Sequence, residues 1–374
     1  MWRYSNPVAI TFGVDAFGEL PKLIAGQRYA LVTYPDAPFA ALAERLRQSA
    51  GDPVVTVNDV APNPDTRLLA EQSARFGAAH ESQIIVALGG GSVIDTAKVL
   101  AAARGGFQPV LRYLQTGTGA EALSATPIIA VPTTAGTGSE VTSWATVWDT
   151  QSGKKYSLSR PNLYPKHALV DPRLMTGKPG LLTISTGLDA LSHALESLWN
   201  VSVNPVSMQH AVVAAREILS VMPRLVKDLQ NLDLRSRMAA AALSAGLAFS
   251  NTRTAIAHSI SYPVTLHHNV AHGIACSFTL PMVLRSVSDA GGLTRDGLTQ
   301  IFGDDLPAGA GRLEEFLQGL GVSTDFRSYG IEADDWKALI LDGFDGERGQ
   351  NFIGTRPALL QAAGLSERES MRAQ

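Results

Sequence analysis

The chain has 374 residues and a mass of 39.6 kDa, long enough for about two domains of ordinary size. Hydrophobic residues make up 45% and charged residues 17%, so a sizeable core can be buried and a disordered chain is excluded. The 31 basic and 34 acidic side chains nearly cancel, which argues against a nucleic-acid or membrane-surface binder, and a single cysteine excludes an internal disulfide framework or a cysteine-rich zinc site. The N-terminal MWRYSNPVAI lacks the basic and apolar segments of a secretory leader. The longest apolar runs, 84–88 and 128–131, are too short to span a bilayer, so a soluble cytoplasmic protein is expected.

In chain order, strands and helices alternate through the first half. Residues 29–34 (YALVTY) read as a strand, 38–49 as a helix and 54–57 as a second strand. A Pro62-Asn63-Pro64 turn precedes a helix over 65–77; strand 84–88 (IIVAL) is followed by a glycine loop and a helix over 93–104; strand 128–131 is bounded by prolines. Such alternation implies parallel strands with helical crossovers, and short continuous apolar runs suit strands buried on both faces. Near Pro179-Gly180 the pattern changes to Ala/Leu-rich stretches with helical period: 186–199, 205–219, 234–249 and 253–262. The expected fold is an α/β nucleotide-binding domain with a parallel sheet over 1–179, and an all-α metal-binding domain over 180–374 whose polar last residues fray.

Two loops suit a phosphate. Gly89-Gly90-Gly91-Ser92 follows a buried strand and opens a helix, so bare backbone and the helix N-terminus face an anion, and Ser92 is placed to cap that helix. Pro132-Thr133-Thr134-Ala135-Gly136-Thr137-Gly138-Ser139 follows the next strand and concentrates hydroxyl donors. Each alone also fits an ordinary turn, and the G-x-G-x-x-G fingerprint is absent, but two such loops after successive parallel strands fit a nucleotide crevice.

The second chemical signal is one carboxylate with three imidazoles. Asp189 and His193, four residues apart, share one helix face, His258 lies in another Ala-rich helix, and His272 follows fourteen residues later. These donors suit a divalent transition ion. Taken singly they also fit structural roles: Asp189 completing a capping box with Thr186, His193 as its helix partner, His258 as a core histidine.

The order GGGS-x-x-D, PTTAGTGSE, D-x-x-x-H and two further histidines resembles the iron-containing, or group III, metal-dependent alcohol dehydrogenases, over most of the chain. The resemblance implies a catalytic cleft between the two domains and a divalent ion, Fe2+ or Zn2+, on Asp189, His193, His258 and His272. It implies NAD(P)H held by Gly89, Gly90, Gly91 and Ser92 at the pyrophosphate, with Asp95, Thr133, Thr134, Thr137, Ser139, Lys155 and Leu174 around the nucleotide. A homodimer or higher homo-oligomer is also implied. Two departures stand out. Family members that prefer NAD carry a carboxylate after a strand-ending Val-Thr, where this chain has Tyr34; Asp36 follows two residues later and is the nearest group for the ribose hydroxyls, so NAD and NADP both stay open. Where many members have a further histidine, this chain has Tyr262, a wall aromatic or a relay hydroxyl.

Residues 249–263, 273–281 and 154–157 resemble the phosphonoacetaldehyde-reducing branch of the family. The expected reaction is therefore reduction of a small aldehyde to a primary alcohol, phosphonoacetaldehyde to 2-hydroxyethylphosphonate above others. Lactaldehyde, butanol-like and sulfoacetaldehyde enzymes are alternatives, as are a dehydroquinate-synthase-like lyase and a nucleotide sensor. Arg253, expected in the first turn of the helix that carries His258, is a candidate seat for an anionic substrate group, although five residues put it about 140° from the metal face. Its alternative is a surface salt bridge. His267 and His268 are expected in a loop as wall or surface residues, and Cys276 as a small core residue.

Overall fold

The apolar runs of the first half become a six-stranded parallel sheet of order β1-β8-β5-β4-β2-β3. The computed structural model describes residues 1–77, 81–104 and 106–365, so the end of the polar tail expected to fray, 366–374, lies outside them. Two compact units are present, Pro7–Thr176, and Gly177–Gln374 together with Met1–Asn6.

In the first unit the strands are β1 Ala9–Phe12, β2 Tyr29–Thr33, β3 Val55–Val57, β4 Ile84–Gly89, β5 Ile128–Pro132, β6 Trp144–Asp149, β7 Lys154–Ser159 and β8 His167–Val170. The helices are α1 Leu20–Ile24, α2 Ala37–Ala50, α3 Thr66–Gly77, α4 Gly91–Ala102 and α5 Phe107–Thr116. All residues of β2, β4 and β5 are buried, as a sheet covered on both faces requires. Alternate residues serve opposite cores: Ala30, Val32, Ile85 and Ala87 join one cluster, Tyr29, Leu31, Ile84 and Val86 the other. β6 and β7 form a separate antiparallel hairpin that the alternation had not suggested as strands. From β2 the chain steps outward to β3 and then returns to β4 on the other side of β2. The switch point therefore lies between β2 and β4, where Thr33 pairs with Leu88.

The second unit is helical: α6 Gly180–Leu198, α7 Pro205–Leu225, α8 Leu232–Thr252, α9 Ile256–His268, α10 His272–Ser277, α11 Leu280–Ser286, α12 Gly292–Phe302, α13 Leu306–Gly319, α14 Ala333–Asp345 and α15 Arg356–Ala362. Asn204 caps α7 with a reciprocal box to Ser207, and Asn231 caps α8 through the Leu234 N–H. Among the described residues no helix is long and apolar enough to cross a membrane.

Three local expectations are corrected. α6 begins at Gly180, so Thr186 and Asp189 lie inside it; Thr186 Oγ1 donates back to the Leu182 carbonyl, and no capping box forms there. α9 starts at Ile256, not at residue 253: Arg253 is the C-cap of α8 with φ 64°, and Ser250 and Asn251 sit in the last turn of α8. His267 and His268 close α9 rather than lying in a loop.

Candidate functional site

The helical unit gathers the four expected metal donors. Asp189 and His193 stand on one face of the buried part of α6, His258 comes from the first turn of α9, and His272 opens α10. Asp189 Oδ1 lies 3.7 Å from His193 Nε2, 3.4 Å from His258 Nε2 and 3.9 Å from His272 Nε2. An ion bonded to nitrogen and oxygen at about 2.0–2.2 Å needs donor pairs about 3.3–3.6 Å apart at the tetrahedral angle, and wider ones at more open angles. These separations from Asp189 fit one shared ion; of the four expected donors, Asp189, His258 and His272 lie mutually within 4.8 Å, in a group that includes Cys276 and not His193. Asp189 Oδ1 and His258 Nε2 are buried and have no hydrogen-bond partner, which a bound cation would remedy. The donor set of one carboxylate and three imidazoles is also right for Fe2+ or Zn2+.

The surroundings orient these groups. Glu196, completely buried on α6, accepts the backbone N–H of His258 at 3.1 Å and contacts its Nδ1 at 2.5 Å, leaving Nε2 toward Asp189. His193 stacks on Phe249 with ring centroids 3.9 Å apart. Burial pushes the Asp189 carboxyl up, but His193, His258 and His272 outweigh it and hold the group well below the usual carboxylate range. Burial would lower the His258 pKa, yet the neighbouring Cys276, Glu196 and Asp189 raise it well above the ordinary imidazole value. The cluster thus favours positive charge, which a divalent ion supplies.

Two neighbours, Glu196 and Arg348, were not singled out from the sequence, whereas Cys276 and Tyr262 were. Glu196 follows Asp189 by seven residues, two turns along the same face of an apolar helix, and that was the available signal. Cys276 is fully buried, as expected of a core residue, but its Sγ lies 3.6 Å from His272 Nε2. Tyr262 stacks parallel to His272, centroids 5.8 Å apart, and Arg348 lies over the Tyr262 ring at 4.7 Å. Arg348 Nε also donates to Thr254 Oγ1 at 3.2 Å, and no carboxylate pairs with it among the described residues. Arg253 instead pairs with Glu347 on an exposed surface.

In the α/β unit the glycine loop lies at the switch point. Gly90 is the N-cap of α4, and Ser92, expected to cap that helix, instead accepts the Asn63 N–H at 3.3 Å. A Cβ on Gly91 would stand 2.7 Å from Thr137, and one on Gly90 would stand 3.2 Å from Thr134 and 3.6 Å from the Tyr34 hydroxyl, so the loops require glycine to pack this closely. The Thr133 N–H donates to Gly89, while its buried hydroxyl has no hydrogen-bond partner. The α4 N-terminus, bare backbone and unpaired hydroxyl fit a pyrophosphate.

Asp95 is already engaged, accepting from the Ser139 hydroxyl at 2.5 Å and the Thr146 N–H at 2.9 Å. Beneath it, fully buried Lys98 donates to the Ser139 and Trp144 carbonyls at 2.7 Å, to Ser139 Oγ at 2.9 Å and to Thr142 Oγ1 at 3.2 Å. Burial lowers Lys98 to about 8 and raises buried Glu140 to about 7. Lys155 on β7 lies over the Trp148 ring at 5.0 Å, Leu174 packs on the sheet core, and Asp36 is exposed at the N-cap of α2.

Comparison with known proteins decides the family. The iron-containing alcohol dehydrogenase description matches residues 7–172, and the C-terminal description of the same family matches 183–357. The chain belongs to the iron-containing alcohol dehydrogenases. This dehydrogenase is 32% identical over 362 residues to phosphonoacetaldehyde reductase of Streptomyces viridochromogenes, covering 88% of this chain and 91% of that one. It is 30% identical to the NAD-dependent methanol dehydrogenase of Bacillus methanolicus, over 92% of this chain and 94% of the relative. Among solved structures, sulfoacetaldehyde reductase of Bifidobacterium kashiwanohense in complex with NAD+ superposes with a TM-score of 0.89 at 29% identity, covering 98% and 99% of the two chains. The expected architecture, a parallel-sheet α/β part and a helical C-terminal part, is the one this dehydrogenase has.

Proposed function

We propose that this dehydrogenase reduces a small anionic aldehyde, phosphonoacetaldehyde above others, to its primary alcohol, using NAD(P)H and one divalent ion, Fe2+ or Zn2+. The observation that carries the redox reading is the convergence of Asp189, His193, His258 and His272 at separations from Asp189 that one ion can share. The anionic substrate class is supported by Arg348, a cation without a carboxylate partner on the ring that stacks against His272. Two of the relatives are named for aldehydes that carry a phosphonate or a sulfonate.

When bound, the ion supplies Lewis acidity at the carbonyl oxygen and the nicotinamide supplies hydride. Glu196 holds His258 with Nε2 toward the cluster, and Phe249 packs His193 in place. Arg348 seats the anionic end and so turns the aldehyde end toward Asp189 and the histidines. Gly89, Gly90, Gly91 and Ser92, with the hydroxyls of Thr133, Thr134 and Thr137, cradle the pyrophosphate. Asp95 and Ser139 shape that loop through their mutual hydrogen bond, while Lys155, Leu174 and Asp36 are assigned to the outer parts of the nucleotide. Tyr34 stands where a 2′-phosphate would be repelled by a carboxylate, so NADPH is accepted beside NADH.

A homo-oligomer is supported by edge strand β1, which exposes Ile10 and Phe12. A single cysteine, leaving no intrachain disulfide, fits action in the cytoplasm.

The test is steady-state oxidation of NADH and NADPH by the metal-loaded enzyme with phosphonoacetaldehyde, sulfoacetaldehyde, lactaldehyde and butanal. Arg348→Ala should raise KM for phosphonoacetaldehyde by about tenfold or more, as loss of a charged hydrogen bond requires, and leave that for butanal nearly unchanged. Arg253→Ala, paired with Glu347, should give the smaller selective effect. Equal changes for both aldehydes in both variants would leave a neutral-substrate alcohol dehydrogenase as the reading.

A further inference from the structure

We infer that Lys98 is a positioning residue for the nicotinamide half of the dinucleotide: it fastens residues 139–144, which run on from the threonine-rich loop, to α4. The inference rests on the NAD(P)H reading above and extends it to a buried side chain which that reading does not use.

Lys98 is fully buried on α4, two turns beyond Gly91. Its three N–H donors meet four oxygens, all from one short segment: the Ser139 carbonyl and Oγ, Thr142 Oγ1 and the Trp144 carbonyl, at 2.7–3.2 Å. Asp95, one turn earlier on the same helix, accepts from the Ser139 hydroxyl and the Thr146 N–H, so Ser139 is gripped from two sides. The grip reaches the phosphate loops. The Ser139 N–H donates to Thr137 Oγ1 at 3.4 Å, and Thr137 packs against Gly91 at the α4 N-terminus. An apolar side chain would pack α4 on the sheet without the cost of burying an ammonium, so core packing alone does not call for lysine here. The sheet order says which half of the nucleotide is served. The switch point between β2 and β4 takes the adenosine half, whereas the threonine-rich loop follows β5, on the far side of β4 from β2. Residues 139–144 therefore border the nicotinamide half.

Binding of NADH and of AMP to the metal-loaded enzyme separates the two halves, because AMP carries the adenosine half and one phosphate but no nicotinamide. Nicotinamide fluorescence reads the first ligand and calorimetry the second. Lys98→Met, close in volume but without charge or donors, should weaken NADH about tenfold or more, as loss of charged hydrogen bonds requires, and leave AMP within about twofold. Thr142→Val removes one of the four acceptors and should weaken NADH about threefold, again sparing AMP. A lysine that merely supported the fold would not divide the two ligands in this way. Should Lys98→Met fail to fold, Thr142→Val decides by the same comparison. NADH affinity unchanged in the folded variants, or NADH and AMP weakened alike, would overturn the inference and leave Lys98 a part of the core. A wild type that binds neither ligand would overturn the dinucleotide reading itself.

Discussion

Glu196 governs which nitrogen His258 presents. Its carboxylate takes both the backbone N–H and the Nδ1 side of His258, fixing the ring and the tautomer from behind. Burial alone would push this carboxyl up; the adjacent His258 holds it down, so it stays charged in an apolar interior. Glu196→Gln preserves volume but removes the charge that makes His258 a strong donor. Metal affinity should fall about 10–100-fold, measured by competition with a chelator of known strength. An affinity equal to wild type would reduce Glu196 to a helix-packing role. Asp189 and His193 were legible because their spacing is fixed by the helix itself, and Glu196 belongs to the same face. Arg348 was not legible: it lies 90 residues beyond His258 in sequence, and only the chain's return past Thr254 brings it to Tyr262.

At the scale of elements, α10 owes its position to a glycine. A Cβ on Gly273 would stand 1.8 Å from the Ser185 carbonyl oxygen of α6, a backbone atom that cannot rotate away. Gly273→Ala should therefore push α10 off α6 and carry His272 and Cys276 with it. The expected cost is about 1–3 kcal/mol in chemical denaturation, accompanied by weaker Co2+ uptake. Wild-type stability with full uptake would show that the helices slide without disturbing the site.

The strands were readable because β2, β4 and β5 are buried on both faces and leave little choice of residue type. The break between α8 and α9 was legible but misplaced: the sequence ends one helix at 249 and starts the next at 253, whereas α8 runs on to Thr252 and α9 starts at Ile256. The break is held from outside: Asn200 donates to the Arg253 carbonyl, Asn351 to the Thr254 carbonyl, and Glu196 receives the freed His258 N–H. The β6–β7 hairpin escaped notice because much of it is only half-buried and its alternation is interrupted.

For the whole molecule, the buried charges beneath the threonine-rich loop predict a pH dependence of stability. Glu140 is raised from 4.5 to about 7 in the folded protein, mainly by burial, with Lys98 pulling the other way. In the unfolded chain the carboxyl ionises first, so between pH 4.5 and about 7 the folded state binds more protons than the unfolded state. The stability associated with Glu140 is fully present below pH 4.5 and is lost as pH rises through about 7. Lys98, lowered from 10.5 to about 8, acts in a separate window: the unfolded chain holds its proton longer, and stability is regained from about 8 to 10.5. Glu140→Gln removes the first window and widens the second, because Lys98 loses a carboxylate that raises its pKa. Denaturant titrations across pH should show wild type losing roughly 3 kcal/mol relative to Glu140→Gln between pH 4.5 and 7 at most, a large share of a typical folding free energy. Parallel curves for the two proteins through that window would mean that Glu140 keeps an ordinary carboxylate pKa in the fold, through hydration of its side chain or a tighter pairing with Lys98.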